Sequence, residues 1–281
     1  MQKYAAITMD VEDWYTNDYF LECKGTDPTY HMLDGLDVLL QILSDNHIPA
    51  TFFTLTEVLG MVGAELREAE NMGSEVAAHG YTHNRPLTMT PAHFREELTK
   101  AKCLVEDCVG HEVIGYRAPT YGIDDDRLEV VRSLGFKYDS SKVAHSLNPH
   151  YGELRLHGFT EVQKNIWKDR DFCEFGISTQ DFFGKHLPIG GGYIRMLPWS
   201  FNLHQLKSYT ADGSFYILYI HPFELSSKAV PKVNDASLTD KIRANTGRKG
   251  CDRKIQKIID LLKSRNYVFV TLRGLREKII T

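Results

Sequence analysis

The 281-residue chain has no apolar run near the roughly 18 residues a membrane-spanning helix requires. Its opening, "MQKYAAITMDVEDWY", lacks the 7–15-residue apolar core of a secretory leader, and a strand begins almost at once. No CxxC pair occurs: the five cysteines (Cys23, Cys103, Cys108, Cys173, Cys251) are odd in number and scattered. That argues against a disulfide framework and predicts a reduced, cytoplasmic protein. Basic runs are also missing, apart from "RKGCDRK" at Arg248–Lys254, expected as a solvated helix start. With a net charge of −4, this argues against a nucleic-acid surface. Neither an internal repeat nor a low-complexity linker divides the chain. With 42% hydrophobic and 25% charged residues it has ample material for a core, and one domain over residues 1–281 is expected.

Strand-like and helical stretches alternate. "YAAITM" reads as a strand running into acidic residues. Leu33–Asn46 has helical period, with Leu36, Leu39, Leu40 and Leu43 on one face. "IPATFFTL" and "SEVAAHG" are buried strands with a helix near Val62–Met72 between them. Thr90-Pro91 caps and opens a helix reaching about Val109. "EVIGYRAP", a helix over Asp125–Leu134 and "FKYDSS" follow, and the alternation predicts a parallel sheet or barrel with helices outside. Residues 145–195 break the pattern and are expected as a hairpin-bearing insertion. Helices near Pro198–Thr210 and Asp252–Arg265 and the strands "SFYILYIHP" and "YVFVTL" then resume it.

Polar clusters fall at the strand ends, where barrels of this kind gather catalytic groups: Asp10, Glu12 and Asp13; His79 and His83; Arg117; Asp139; His221. Three carboxylates within four positions repel one another unless a cation or a shared proton relieves them. Alone, "DVED" reads equally well as a solvated acidic turn, and "HGYTH" as two ordinary histidines on a turn. Together they suit a His₂-carboxylate site for zinc, with a neighbouring carboxylate free to take a proton. Amide hydrolysis also needs a group to protonate the leaving amine, and His221 is suited to it at neutral pH. Arg117 is placed to orient a carboxylate.

These segments, in this order, resemble the five motifs of the polysaccharide deacetylase family. "TMDVED" is similar to the first, "HGYTH" to the second with Gly80 where serine or threonine is usual, "RAPTYG" to the third, "YDSS" to the fourth and "LYIH" to the fifth. The resemblance implies a distorted (β/α)₇ barrel and a metal-dependent, zinc-type N-deacetylase acting on an acetylated amino sugar. It implies Asp10 as base held by Arg117, His79 and His83 as metal ligands, and His221 as acid tuned by Asp139. A backbone N–H at Thr120 or Tyr121 would meet the oxyanion, and Leu218 or Ile220 would line a pocket for the acetyl methyl.

The family's first motif has adjacent aspartates, so the third ligand stays open here between Glu12 and Asp13. Alternation along the strand favours Glu12, while the shorter side chain of Asp13 copies the usual ligand and is preferred. "DVEDW" and "GGGYIRMLP" also resemble a subgroup associated with surface-polysaccharide biosynthesis. In that segment Gly190–Gly192 would approach substrate through backbone, Tyr193 would stack on a sugar and Arg195 would meet an anionic group. Trp14, Tyr15 and Trp167 are further stacking candidates. Two other functions fit the same pattern: hydrolysis of a non-sugar C–N bond of allantoin or imide type, and a catalytically silent sugar-binding barrel.

Overall fold

The computed structural model describes residues 2–17, 19–144, 150–182 and 184–280. Its first half alternates as expected: β1 (Lys3–Val11), α1 (Gly35–Asn46), β2 (Ala50–Leu55), α2 (Leu59–Asn71), β3 (Glu75–Gly80), α3 (Pro91–Val109), β4 (Gly115–Tyr116), α4 (Asp125–Ser133) and β5 (Tyr138–Asp139). Thr90 caps α3, its hydroxyl accepting the His93 N–H, and Pro91 occupies the first turn. The second half holds five short strands: β6 (Thr160–Gln163), β7 (Ile166–Asp169), β8 (Phe172–Phe175), β9 (Thr179–Phe182) and β10 (Lys185–Pro188). Then come α5 (Gly191–Met196), α6 (Trp199–Tyr209), β11 (Tyr216–Ile220), α7 (Pro222–Leu225), α8 (Leu238–Asn245), α9 (Cys251–Ser264), β12 (Tyr267–Phe269) and α10 (Leu272–Ile280).

Seven strands run parallel in the order β11-β1-β2-β3-β4-β5-β8, and β12 adds to the start of β1. Among the described residues no ladder joins β8 back to β11, so the sheet curls into a half-barrel, as a distorted (β/α)₇ barrel requires. The seam is bridged by side chains instead. Ser178 Oγ accepts the Ile217 N–H at 3.0 Å, and the Tyr209 hydroxyl links Ser178 to the Phe215 carbonyl.

The expected insertion is only partly one. Its hairpins exist, β6–β7 and β9–β10, but β8 between them is a barrel strand pairing parallel with β5. Four residues with Glu174 among them carry too little periodicity to show this in sequence. Residues 145–149 of the insertion lie outside the described residues. The "RKGCDRK" stretch is not simply solvated either. Arg248 donates to the carbonyls of Phe223, Ser226 and Lys228, and Lys254 to those of Ile194, Arg195 and Leu197.

Strand parity sorts the core into two layers. Ile7, Met9 and Val11 of β1, with Leu218 and Ile220 of β11, pack outward with Leu36, Leu39 and Ile255 of the helices. Ala6, Phe53, Tyr138, Phe175, Ile217 and Tyr219 fill the inside of the curl, with α10 against them. Thr8, Asp10 and Glu12 share the inward parity of Ala6. The Leu272 and Arg273 N–H groups bond Thr51 and Glu75 at the strand starts, so α10 covers that end. The opposite end carries the polar clusters. No helix among the described residues is long and apolar enough to cross a membrane.

Candidate metal and acid–base site

The C-terminal ends of β1, β3, β4 and β11 meet at a cavity of about 750 Å³ that Asp10, Glu12, His79, His83 and His221 all line. Arg117, just past β4, is completely buried beneath it and bonded through each of its three nitrogens. Its Nη1 donates to Asp10 Oδ1 at 2.6 Å and to Thr8 Oγ1 at 2.9 Å, Nη2 to Ser140 Oγ and Nε to the Ser140 carbonyl. The guanidinium also lies 4.0 Å from the centre of the Phe53 ring. A buried cation with all three nitrogens bonded is a rigid mount for one carboxylate oxygen.

Glu12, His79 and His83 converge, with their ligating atoms all within 4.8 Å of one another. Glu12 Oε2 lies 2.7 Å from His83 Nε2 and 3.9 Å from His79 Nε2. A buried carboxylate oxygen so close to two imidazole nitrogens faces a common position with them, as ligands of one cation do. His79 donates from Nδ1 to the Arg117 carbonyl at 2.9 Å, leaving Nε2 as the lone-pair atom. Burial pulls its pKa down to about 4, outweighing Asp10 and Glu12, so the ring is neutral at pH 7, as a ligand must be. Burial would raise Glu12, but the attraction of His83, His221 and His79 lowers it to about 2. The residues present therefore fit a divalent cation with two nitrogen donors and one oxygen donor. Gly80, at φ 132°, turns the chain between the two histidines, and a Cβ there would meet the Thr82 carbonyl at 3.0 Å. That accounts for glycine at this position of the motif.

The preference for Asp13 is corrected by this placement. β1 runs on to Val11, two residues past the expected end, so alternation still aims Glu12 into the cleft. Asp13 then leaves the strand as the cap of the following turn. Its Oδ1 accepts the Trp14 and Met32 N–H groups, and Oδ2 pairs with His31 at 2.8 Å.

Across the cavity, His221 presents Nε2 at 3.9 Å from Asp10 Oδ2 and 3.7 Å from Glu12 Oε1. Its partner behind is Glu224, which accepts from Nδ1 at 3.2 Å and from the His221 N–H at 3.1 Å. Burial pulls the His221 pKa down, but the Glu224 hydrogen bond and the charges of Glu12, Glu224 and Asp10 raise it to about 9. Asp139, expected in that tuning position, is elsewhere. Its neighbour Tyr138 points into the barrel, so Asp139 faces outward, bonded to Ser141 and paired in register with Glu174. Glu224 escaped notice in sequence although "HPFE" carries the spacing of a helix capping box.

The substrate-contact expectations divide. Tyr121 and Tyr193 line the cavity. Tyr121 and Thr120 both adopt left-handed backbone, at φ 55° and 57°, and the Tyr121 N–H is committed to the Ala118 carbonyl rather than open to an oxyanion. Leu218 and Ile220 face the helices, so neither lines a methyl pocket; of the inward residues of β11, Ile217 and Tyr219, it is Tyr219 that lines the cavity. Arg195 is fully buried in an ion pair with Glu224 and does not await an anionic group. Gly190 and Gly191 lie against the Tyr219 ring, where a Cβ would sit 2.7 and 2.3 Å from its atoms, so they serve packing, while Gly192 reaches the cavity. Trp14 is buried, donates Nε1 to the Tyr30 carbonyl and packs edge-on to Phe20, so it is core. Trp167 sits on β7, over Gly176. Sequence reasoning missed Tyr19, Tyr151 and Phe223, which also line the cleft.

Residues 31–138 match the family model for polysaccharide deacetylase, and residues 140–274 match that of a domain of unknown function, DUF3473. Over 117 residues the chain is 32% identical to a peptidoglycan deacetylase of Helicobacter pylori, covering 42% of this chain and 40% of that protein. The match thus spans well under half of that relative's length. In fold, the chain resembles a Mycobacterium smegmatis protein assigned to the polysaccharide deacetylases, with TM-score 0.63, 17% identity and coverage of 99% and 91% of the two chains. It resembles an allantoinase as closely, with TM-score 0.66, 13% identity and coverage of 98% and 89%. Residues 31–138, which hold both motif histidines and Arg117, thus match the polysaccharide deacetylase family.

Proposed function

We propose that this protein is a metal-dependent hydrolase that removes the N-acetyl group from an acetamido sugar in a glycan, lipid-linked or nucleotide-linked intermediate. The observation that carries this reading is the convergence of a two-histidine, one-carboxylate cluster, a clamped carboxylate and a carboxylate-backed histidine in one cavity. Glu12, His79 and His83 would hold the ion, and their mixed nitrogen and oxygen donors suit zinc. Such an ion supplies Lewis acidity toward the acetamide carbonyl. Asp10, aimed by Arg117, takes the proton of the attacking water. His221 delivers a proton to the leaving nitrogen. The tyrosines at 19, 121, 151, 193 and 219 offer flat faces for sugar rings.

Both family-matched segments act as one catalytic unit in this reading, since β1 pairs with β11 and one cavity draws on both. The "DVEDW" and "GGGYIRMLP" stretches favour a role in surface-polysaccharide biosynthesis. The five unpaired cysteines favour a reducing compartment.

The test is acetate release from N-acetylhexosamine substrates before chelation, after it, and after zinc is restored. Loss and recovery are expected; release indifferent to chelation would sink the mechanism. The allantoinase likeness supports a second reading, hydrolysis of a non-sugar ring amide, which would yield a ring-opened product and no acetate.

A further inference from the structure

Two ionised side chains with almost no exposure stand directly behind His221. Arg195 (0% exposed) and Glu224 (1%) meet at 2.9 Å, Nε to Oε1, while the other Glu224 oxygen takes both hydrogen bonds from His221. Arg195 is itself anchored. Lys254 Nζ donates to its carbonyl at 2.8 Å, and its Nη1 donates to the Thr246 carbonyl. A buried ion pair is a weak source of stability, because desolvating two charges costs about as much as their attraction returns. The arrangement accomplishes something geometric instead. A carboxylate beside a guanidinium only accepts, so the imidazole nitrogen facing it carries a hydrogen, and Nε2 is turned toward Asp10 and Glu12 across the cavity.

We propose that Glu224 and Arg195 are positioning residues for His221, fixing its tautomer and aim, and that the segment matching a domain of unknown function thereby supplies the acid arm of the site. The inference rests on the hydrolytic reading above. As the C–N bond breaks, its electron pair goes to nitrogen. The imidazolium gives its Nε2 proton to that nitrogen, which departs as the amine. His221 is left neutral with its Nδ1 hydrogen still bonded to Glu224, and Glu224 itself gains no proton. Asp139 has no part in this, being bonded on the outer face of β5.

A purely structural role is the rival account, since the bond from the His221 N–H to Glu224 also caps α7. Glu224→Gln and Arg195→Lys separate the two, measured in the metal-loaded enzyme by steady-state kinetics and by nitrogen NMR with labelled histidine, His221→Ala supplying the assignment. Positioning predicts that Glu224→Gln lowers kcat by about 10²–10³-fold with KM and bound metal unchanged. The Nδ1–H signature of His221 should shift or vanish, and Arg195→Lys should fall between. A folded Glu224→Gln enzyme with wild-type kcat and an unaltered His221 tautomer overturns the proposal. Should Glu224→Gln fail to fold, Arg195→Lys reads the same two quantities. If the wild type released no acetate from any N-acetylhexosamine, the hydrolytic reading would fail, while the tautomer of His221 in wild type and variant would still decide the positioning.

Discussion

His79 and His221 face each other across one cavity, both largely enclosed, yet they hold protons in opposite ways. Burial acts on both in the same direction, toward the neutral ring. His79 goes with it, to about 4, because its Nδ1 meets only the neutral Arg117 carbonyl. His221 goes against it, to about 9, because its Nδ1 meets a carboxylate that this same hydrogen bond and the buried Arg195 hold down at about 2. One residue type thus becomes an electron-pair donor on one wall and a proton donor on the other, and the atom behind the ring makes the difference.

Asp10 lies between the walls, and removing its charge should have the largest effect. Asp10→Asn is expected to lower turnover by about 10²–10⁴-fold while bound metal, measured by elemental analysis, stays at wild-type stoichiometry. A sugar-binding barrel without activity would have no turnover to lose.

Breaking the mount comes next. Arg117→Met leaves Asp10 buried without its counter-charge and should cost about 3–5 kcal/mol in urea unfolding. A smaller loss would mean that Asp10 finds another partner.

The ligand wall is then sharpened by two neighbours in sequence. Glu12→Gln should abolish tight zinc binding in equilibrium dialysis. Asp13→Asn should keep the zinc but cost about 1–3 kcal/mol of stability, because it weakens the bonds to Trp14, Met32 and His31. Zinc lost from Asp13→Asn and kept by Glu12→Gln would reverse the assignment.

The smallest effect concerns the carboxylates on the outer face of the sheet. Burial raises Asp139 to about 6, and burial together with Asp139 raises Glu174 well above the ordinary carboxylate range. Acids raised in the folded state contribute stability that is present below their unfolded pKa and lost as pH climbs through the folded values. Wild-type stability should therefore decline relative to Glu174→Gln as pH rises from about 4 through about 6, by roughly 1 kcal/mol. Melting curves that stay parallel across that range would show that the pair holds no shared proton.

The alternation of strands and helices was legible because apolar period changes visibly between 2 and 3.6. The strand-end placement of Asp10, His79, His83, Arg117 and His221 was legible for the same reason. What was hidden depended on one-residue phase or on distant partners. The choice between Glu12 and Asp13 turned on where β1 ends, a matter of two residues, and the alternation argument proved sounder than the likeness of side-chain length. Leu218 was read to the wrong face because nothing in "YILYIH" says which parity is inward. Arg195 looked like a substrate contact because Glu224, its partner, lies 29 positions away. β8 was too short to announce itself.

Strand β1 is made well before two of its neighbours, β11 and β12. Thr8 bonds the carbonyl of Leu218, 210 residues further on, and Lys3–Ala5 pair with Tyr267–Phe269. At ordinary elongation rates, β1 waits roughly 10–40 s on the ribosome before its β11 partner exists. The Glu12, His79 and His83 cluster is complete in sequence by residue 83, but the strand leading into Glu12 acquires its full set of neighbours only once residues 267–269 have been synthesised. Assembly of this site is therefore tied to a contact of very high order, which slows folding. Through that interval β1 presents an unpaired, largely apolar edge, the period in which the nascent protein most needs shielding from its own copies.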